Sequence, residues 1–157
     1  MRTPTELSDA FRQQGLKLTR QRQVLFELLH DNRTHPTAEA LHLAAARRVS
    51  GISLRTVYQT LNDLTAMGEL QSFALAPGAV RFDPNTDPHH HAQCERCGAL
   101  HDVYVDELPQ LATRGLDGFR TQCTTIVFHG TCDTCVAPAA DAEPASHNIH
   151  QHKETTP

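Results

Sequence analysis

Two cysteine pairs with CxxC spacing constrain the fold of this 157-residue chain more than any other feature. The first pair is Cys94 and Cys97, the second is Cys132 and Cys135, and 34 residues separate the pairs. Two CxxC turns supply four thiolates to one ion, which is the usual structural Zn²⁺ site. Residues 1–14 are polar and show no secretory signal, so we expect a cytoplasmic chain, in which paired CxxC motifs indicate metal ligands before disulfides. Four free or disulfide-bonded cysteines remain the alternative.

The first half of the chain has the hydrophobic spacing of short helices. These helices are predicted over residues 5–14 and 20–30, after Thr37 and after Ser53, with breaks at Gly15, Gly51 and Gly68. After Gly68 the period changes from 3.6 to 2, and residues 70–75 and 79–83 flank Pro77-Gly78 as a β-hairpin would. Helices followed by a hairpin predict a winged helix, in which the helix before the wing enters the major groove of DNA. A small helical domain with an incidental hairpin is the alternative.

Charge is distributed unevenly along the chain. Residues 1–83 hold 10 Lys/Arg against 8 Asp/Glu, a charge of +2, whereas residues 84–157 hold 4 against 10, a charge of −6. The sum is the net charge of −4. A mild basic excess in the first half permits DNA binding without arguing for it.

A turn-rich segment with two prolines, residues 84–88, marks the predicted domain boundary. We therefore expect an α+β protein with a winged-helix DNA-binding domain over residues 1–83, a hinge over 84–88 and a metal-binding α/β domain over 89–136. In the second domain, strands are predicted over 89–94, 99–105 and 119–128, and a helix over 107–115. We expect Cys123 to be a buried packing residue. Residues 137–157 are predicted to be a disordered tail, whose His147, His150 and His152 would bind metal with low specificity.

Histidines precede the first cysteine pair. His89 and His91 would share one face of a strand, whereas His90 would point the other way. His35, Asp83 and Asp102 are further candidate ligands, although sequence spacing does not bring them together. Imidazoles with carboxylates would suit Fe²⁺, Mn²⁺ or Zn²⁺.

Five ordered blocks of sequence resemble the ferric uptake regulator (Fur) family. The blocks are residues 15–22, 35–39, 53–61, 89–98 and 132–135, and the resemblance extends over residues 5–136. It implies a winged-helix domain, a C-terminal α/β dimerisation domain with a structural zinc site of four cysteines, and a regulatory metal site at the hinge. The peroxide-sensing (PerR-like) branch uses three histidines and two aspartates, and the matching positions are His35, Asp83, His89, His91 and Asp102. Iron-sensing members usually have Glu at the position of Asp102.

The resemblance implies a homodimeric, metal-dependent repressor that binds a palindromic operator and senses peroxide through Fe²⁺ (or Mn²⁺). Oxidation would fall on His35 or His89 as a self-modification, so we do not expect an enzyme. The alternative is a reversible iron or manganese, less so zinc, uptake regulator without peroxide chemistry. Two other classes are a zinc-ribbon protein that binds nucleic acid without sensing metal and a metal-dependent hydrolase.

Candidate DNA contacts lie on the helix before the wing and on the second helix. They are Arg55, Thr56, Tyr58 and Gln59, which would read base edges, and Arg20 and Arg22, which would contact phosphate or the minor groove. For Tyr58, partial burial beside Leu61 is the alternative.

Overall fold

The computed structural model describes residues 1–74, 79–106, 114–122 and 124–136. The helices are α1 (Pro4–Gln13), α2 (Arg20–Leu29), α3 (Ala38–Ala46) and α4 (Leu54–Ala66), and the strands are β1 (Gln71–Phe73), β2 (Arg81–Asp83), β3 (His90–Cys94), β4 (Leu100–Val103) and β5 (Val127–Gly130). None of the helices in these ranges is long and apolar enough to cross a bilayer.

Each helix begins at a hydroxyl side chain that accepts a hydrogen bond from a backbone N–H of the first turn. These N-caps are Thr3, Thr19, Thr37 and Ser53. Such caps satisfy an otherwise unpaired donor and stabilise a helix by about 1 kcal/mol. Three of the caps were predicted from sequence. At α1 the helix begins one residue earlier than expected, because Thr3 and Glu6 form a capping box and Pro4 occupies the first turn.

The helices and the hairpin share one hydrophobic core. Phe11 and Phe26 meet edge to face with ring centroids 4.8 Å apart, and both are fully buried. Leu70 and Phe82, from the two sides of the hairpin, complete this core. Strands β1 and β2 pair antiparallel with Gln71 opposite Asp83. The predicted winged helix is therefore confirmed, while the predicted turn at Pro77-Gly78 lies outside the described residues.

The second half forms a three-stranded sheet in the order β4-β3-β5. Strand β3 pairs antiparallel with β4 and parallel with β5. The predicted strand over residues 119–128 is wrong in extent, because β5 begins only at Val127. Val127 lies opposite His91, so earlier residues would extend past the N-terminal end of β3 and have almost no strand to pair with. Cys123, most of the predicted helix over 107–115 and the tail over 137–157 lie outside the described residues.

Within the described part of the second half, few apolar side chains are buried. Cys94 and Leu100 are the buried ones, whereas Tyr104 and Phe119 are 64% and 68% exposed. Burial of apolar surface stabilises the folded state by only about 25 cal/mol per Å². The described residues of this half therefore have little hydrophobic core of their own.

Candidate metal centres

Side chains from four parts of the chain converge on one point between the winged helix and the second sheet. Each offers one ligand atom, and these atoms all lie within 4.8 Å of one another. The residues are His35 from the loop between α2 and α3, Asp83 at the end of β2, His89 just before β3, His91 within β3, and Asp102 in β4. The structure thus brings together all five residues that the resemblance to the PerR-like branch indicated.

Two carboxylates organise the imidazoles. Oδ2 of Asp83 lies 2.8 Å from Nε2 of His89, 3.4 Å from Nε2 of His91 and 3.5 Å from Nε2 of His35. Oδ1 of Asp102 lies 2.8 Å from Nε2 of His35 and 3.8 Å from Nε2 of His89. All three histidines therefore present Nε2 to the same small volume.

Strand register explains how β3 and β4 contribute. His91 lies directly opposite Asp102 in the antiparallel pair, so the two side chains share one face. His90 points to the other face, where its Nδ1 accepts the backbone N–H of Ile126 at 3.3 Å. The alternation of a β-strand thereby separates His90 from the cluster.

The backbone of His35 is held in an unusual conformation. Its φ is +49°, in the left-handed region, although a residue before proline is normally extended. Such a conformation costs on the order of 1–3 kcal/mol and persists only where the surroundings enforce it. Arg81 Nη1 donates to the carbonyl of His35 at 3.3 Å, and the Phe82 N–H donates to the carbonyl of Pro36 at 3.0 Å. These bonds fix the loop to strand β2.

Several polar atoms of the cluster are buried without hydrogen bonds. Nδ1 and Nε2 of His35, Nδ1 of His91 and Oδ1 of Asp102 have no hydrogen-bond partner among the described residues. Nε2 of His35 and Oδ1 of Asp102 lie 2.8 Å apart, a close charge contact rather than a hydrogen bond. A buried polar atom without a partner costs about 1–3 kcal/mol. A divalent cation shared by these atoms would remove that cost, so the residues present fit a metal ion.

One histidine has its tautomer fixed for metal binding. Nδ1 of His89 donates to the carbonyl of Asp87 at 2.7 Å, which leaves the lone pair of Nε2 directed at the cluster. The side chain of His89 is 1% exposed. This arrangement is the usual outer support of a metal-bound imidazole.

Burial and charge shift the pKa values in the cluster in different directions. Burial alone would lower the pKa of His35, but the carboxylates of Asp83 and Asp102 outweigh it and raise that pKa. Burial would raise the pKa of Asp83, yet the interaction with His35 lowers it. Burial, reinforced by the neighbouring histidines, lowers the pKa of His91. Because a metal ion binds only a deprotonated imidazole, the raised pKa of His35 makes metal binding at this site dependent on pH.

The cysteines form a second, separate cluster. Their sulfurs lie within 4.8 Å of one another, and Sγ of Cys97 is 3.7 Å from Sγ of Cys132, well beyond a disulfide bond. The two turns follow β3 and β5, which are parallel neighbours, so both leave the sheet at the same end. Gly98, at φ +72°, allows the reversal after the first turn.

The thiols of this cluster have opposed pKa shifts. The backbone N–H of Cys132 stabilises the Cys94 thiolate and lowers its pKa to about 6. Interactions with Cys97 and Cys132 raise the pKa of Cys135 to about 12. Like charges so close together do not all ionise without a cation. A tetrahedral dication with thiolate ligands, such as Zn²⁺, fits this donor set.

Comparison with known families gives a match over residues 13–129 to the ferric uptake regulator family. The chain belongs to the ferric uptake regulator family. It is 30% identical over 133 residues to the peroxide operon regulator of Bacillus subtilis (strain 168), covering 83% of this chain and 91% of that protein. Among solved structures, the Vibrio cholerae ferric uptake regulator has a TM-score of 0.65 at 25% identity, covering 80% of this chain and 99% of that one. A zinc-bound manganese uptake regulator has the same TM-score and identity, with 83% and 99% covered.

In this Fur-family chain, helix α4 presents most of the predicted base contacts to solvent. Arg55, Tyr58 and Gln59 are exposed, whereas Thr56 is half-buried. The Tyr58 hydroxyl donates to Glu39 at 2.9 Å, and the residue as a whole is 38% exposed. The DNA contacts of these four α4 residues stay predictions. So does that of Arg20, which is exposed and pairs with Glu27 at 3.3 Å.

Arg22 does not fit the predicted role of a DNA contact. Its Nη2 lies 2.8 Å from Oδ2 of Asp63, and both side chains are only 13% exposed. The guanidinium also lies 5.2 Å from the centroid of the Phe11 ring, a cation–π distance. Arg22 therefore joins α1, α2 and α4 inside the winged helix of this family member. Its partner lies 41 residues away, and no local pattern reveals such a pair.

A cleft of about 560 Å³ opens beside the His/Asp cluster, and Asp83, Asn85, Asp102 and Tyr104 line it. The side chain of Asp102 is 18% exposed, whereas those of His35, His89 and Asp83 are 2% exposed or less. In this Fur-family structure, a small solute therefore approaches the cluster from the side of Asp102.

Proposed function

We propose that this protein is a metal-dependent DNA-binding transcriptional repressor whose His/Asp cluster binds Fe²⁺ or Mn²⁺ and which senses peroxide in its Fe²⁺ form. The observation that carries the proposal is the convergence of three imidazoles and two carboxylates from both halves of the chain into one buried cluster. The identity to the Bacillus subtilis peroxide operon regulator supports it.

The two clusters have separate roles in this proposal. His35, Asp83, His89, His91 and Asp102 hold the regulatory ion, because nitrogen and oxygen donors suit Fe²⁺ and Mn²⁺. Cys94, Cys97, Cys132 and Cys135 hold a structural Zn²⁺. The second sheet has few buried apolar side chains, which supports a structural contribution from that ion.

The regulatory site links what we propose are two domains, residues 1–83 and 89–136, across the hinge at 84–88. His35 and Asp83 belong to the first, and the other ligands belong to the second. An ion that contacts both domains binds more tightly to the arrangement in which all its ligands are together than to any other. Binding therefore shifts the protein towards that arrangement. In a homodimer, this arrangement would hold two copies of α4 one helical turn apart on a palindromic operator. Such a repressor would act in the cytoplasm.

Peroxide sensing adds oxidation of a ligand. A bound Fe²⁺ supplies the redox chemistry that reduces peroxide beside the imidazoles. In the net change, one oxygen atom of hydrogen peroxide is inserted into a ring C–H bond of His35 or His89, so that the hydrogen stays on the modified ring, and the other oxygen leaves as water. The imidazole loses two electrons and peroxide gains two. Both histidines lie beside Oδ1 of Asp102, on the side of the cleft. Each molecule is modified once, so the process is not enzymatic turnover.

The second candidate is a reversible iron or manganese uptake regulator that releases DNA when the ion dissociates. The similarity to the zinc-bound manganese uptake regulator and to the Vibrio cholerae ferric uptake regulator favours it. The two candidates differ in whether a histidine is oxidised.

The test is binding to a palindromic DNA selected by the metal-loaded protein from a random-sequence pool. We expect Fe²⁺-loaded and Mn²⁺-loaded protein to bind, and chelation of the labile ion to abolish binding. After peroxide, the Fe²⁺ form alone should release DNA and gain one oxygen on His35 or His89 by peptide mass mapping. Equal binding after chelation would refute the metal sensor. DNA release without histidine oxidation, or no response to peroxide, would refute peroxide sensing and support the second candidate, the uptake regulator.

A further inference from the structure

We propose that Asn85, in the hinge, is a positioning residue that gives both carboxylates of the regulatory site their orientation and so favours Mn²⁺ and Fe²⁺ over Zn²⁺. The inference rests on the proposed function of the His/Asp cluster. It concerns a residue that offers no ligand atom itself.

Asn85 binds one oxygen of each carboxylate. Its backbone N–H donates to Oδ1 of Asp83 at 2.8 Å, and its Nδ2 donates to Oδ2 of Asp102 at 2.8 Å. The other oxygen of each carboxylate, Oδ2 of Asp83 and Oδ1 of Asp102, faces the imidazoles. Asn85 thus leaves a single oxygen of each carboxylate free for a cation.

The side chain of Asn85 is itself fixed. Its Oδ1 accepts the N–H of Asp87 at 3.2 Å, which identifies the opposite atom as the amide nitrogen. The second hydrogen of that nitrogen reaches the Tyr104 hydroxyl at 2.8 Å, and the backbone carbonyl accepts from Gln71 Nε2 at 3.2 Å. Both amide hydrogens are therefore used, and rotation would break several bonds together.

Asp102 is the ligand that depends most on this support. It borders the cleft and is 18% exposed, so without Asn85 its carboxylate is able to turn towards solvent. Three imidazoles and Asp83 would remain, which is enough for the four-coordinate shell that Zn²⁺ prefers. Mn²⁺ favours a larger, oxygen-richer shell, so loss of Asp102 weakens Mn²⁺ binding more than Zn²⁺ binding.

The experiment measures dissociation constants for Mn²⁺ and Zn²⁺ by competition with a fluorescent chelator, using the full chain with its cysteine site already loaded with zinc. The variants are Asn85→Ala, Asp102→Ala and the double variant. Tyr104→Phe is the matched control, because it removes the other partner of the same amide and keeps the ring. Outer-sphere partners of a metal site typically contribute 10–100-fold in affinity. We therefore expect Asn85→Ala to raise the Mn²⁺ constant about 10–100-fold and the Zn²⁺ constant less than about threefold.

The double variant distinguishes positioning from a general structural role. If Asn85 acts through Asp102, then Asn85→Ala changes the Mn²⁺ constant less than about twofold in the Asp102→Ala background. Asn85→Ser preserves a turn with Asp87 but is too short to reach Asp102, so it should reproduce the effect in a folded protein. Wild-type affinity in Asn85→Ala, an equal loss for both metals, or a full effect in the double variant would overturn the inference. Absence of Mn²⁺ binding in the wild type would instead refute the proposed function.

Discussion

Replacing Arg81 with methionine tests whether the two metal clusters are mechanically connected. Nη1 of Arg81 donates to the carbonyl of His35 at 3.3 Å, and Nη2 donates to the carbonyl of Gly98 at 3.2 Å. The same side chain thus joins the loop that carries a regulatory ligand to the turn of the first cysteine pair. Methionine retains much of the apolar stem and removes both donors.

The expected magnitude follows from these two bonds. A buried hydrogen bond from a charged donor contributes about 1.5–3 kcal/mol to the free energy of unfolding. We take about 1 kcal/mol for each bond of Arg81, because both bonds are long and the side chain is half-buried. The total of about 2 kcal/mol corresponds to a fall in Tm of about 4–8 °C for a chain of this size. If about 1 kcal/mol of this holds His35 in its left-handed conformation, the Mn²⁺ dissociation constant rises about fivefold.

Differential scanning calorimetry and Mn²⁺ titration of Arg81→Met, beside the wild type, measure both effects. Arg20→Met is the control, because its pair with Glu27 is exposed and such pairs contribute about 0–1 kcal/mol. Zinc content should stay unchanged, since Arg81 donates only to a carbonyl of that turn. An unchanged Tm together with wild-type Mn²⁺ affinity would refute the connection.

The remaining predictions concern the winged helix and the zinc site. Asp63→Ala removes the counter-charge of the Arg22 guanidinium, whose side chain is only 13% exposed. The free energy of unfolding in urea titrations should fall by about 3 kcal/mol. An unchanged urea midpoint would contradict the buried ion pair. Removing zinc with a chelator should abolish the second sheet but preserve the helical far-UV signal, because the core of the winged helix does not involve the cysteines. Simultaneous loss of the helical signal would disprove this independence. Tyr58→Phe removes one exposed hydrogen bond and should change stability by less than about 0.5 kcal/mol, so any loss of operator affinity in fluorescence anisotropy reports a DNA contact of the hydroxyl.

Local signals in the sequence predicted the helices well. A hydroxyl residue before an apolar stripe determines where a helix begins, and Thr19, Thr37 and Ser53 all have this role. Strand extent depends on a partner, which is not a local property. The alternation over residues 119–128 therefore predicted a strand where β3 offers almost no pairing before Val127.

Long-range contacts account for what the sequence did not reveal at the sites. His89 and His91 share a face by alternation alone, but their meeting with His35 depends on the loop before α3 and its bonds to β2. The roles of Arg22 and Asn85 likewise depend on partners distant in sequence or across the hinge. Residue type and resemblance indicated the ligands, whereas only the fold reveals the residues that hold them.

The most direct test of the central claim is anomalous diffraction from crystals of the zinc-loaded protein soaked in Mn²⁺. The account predicts a manganese peak between Nε2 of His35, His89 and His91 and the inward oxygens of Asp83 and Asp102, with a separate zinc peak among the four sulfurs. A manganese peak elsewhere, or none at saturating Mn²⁺, would contradict a regulatory metal site built from both halves of the chain.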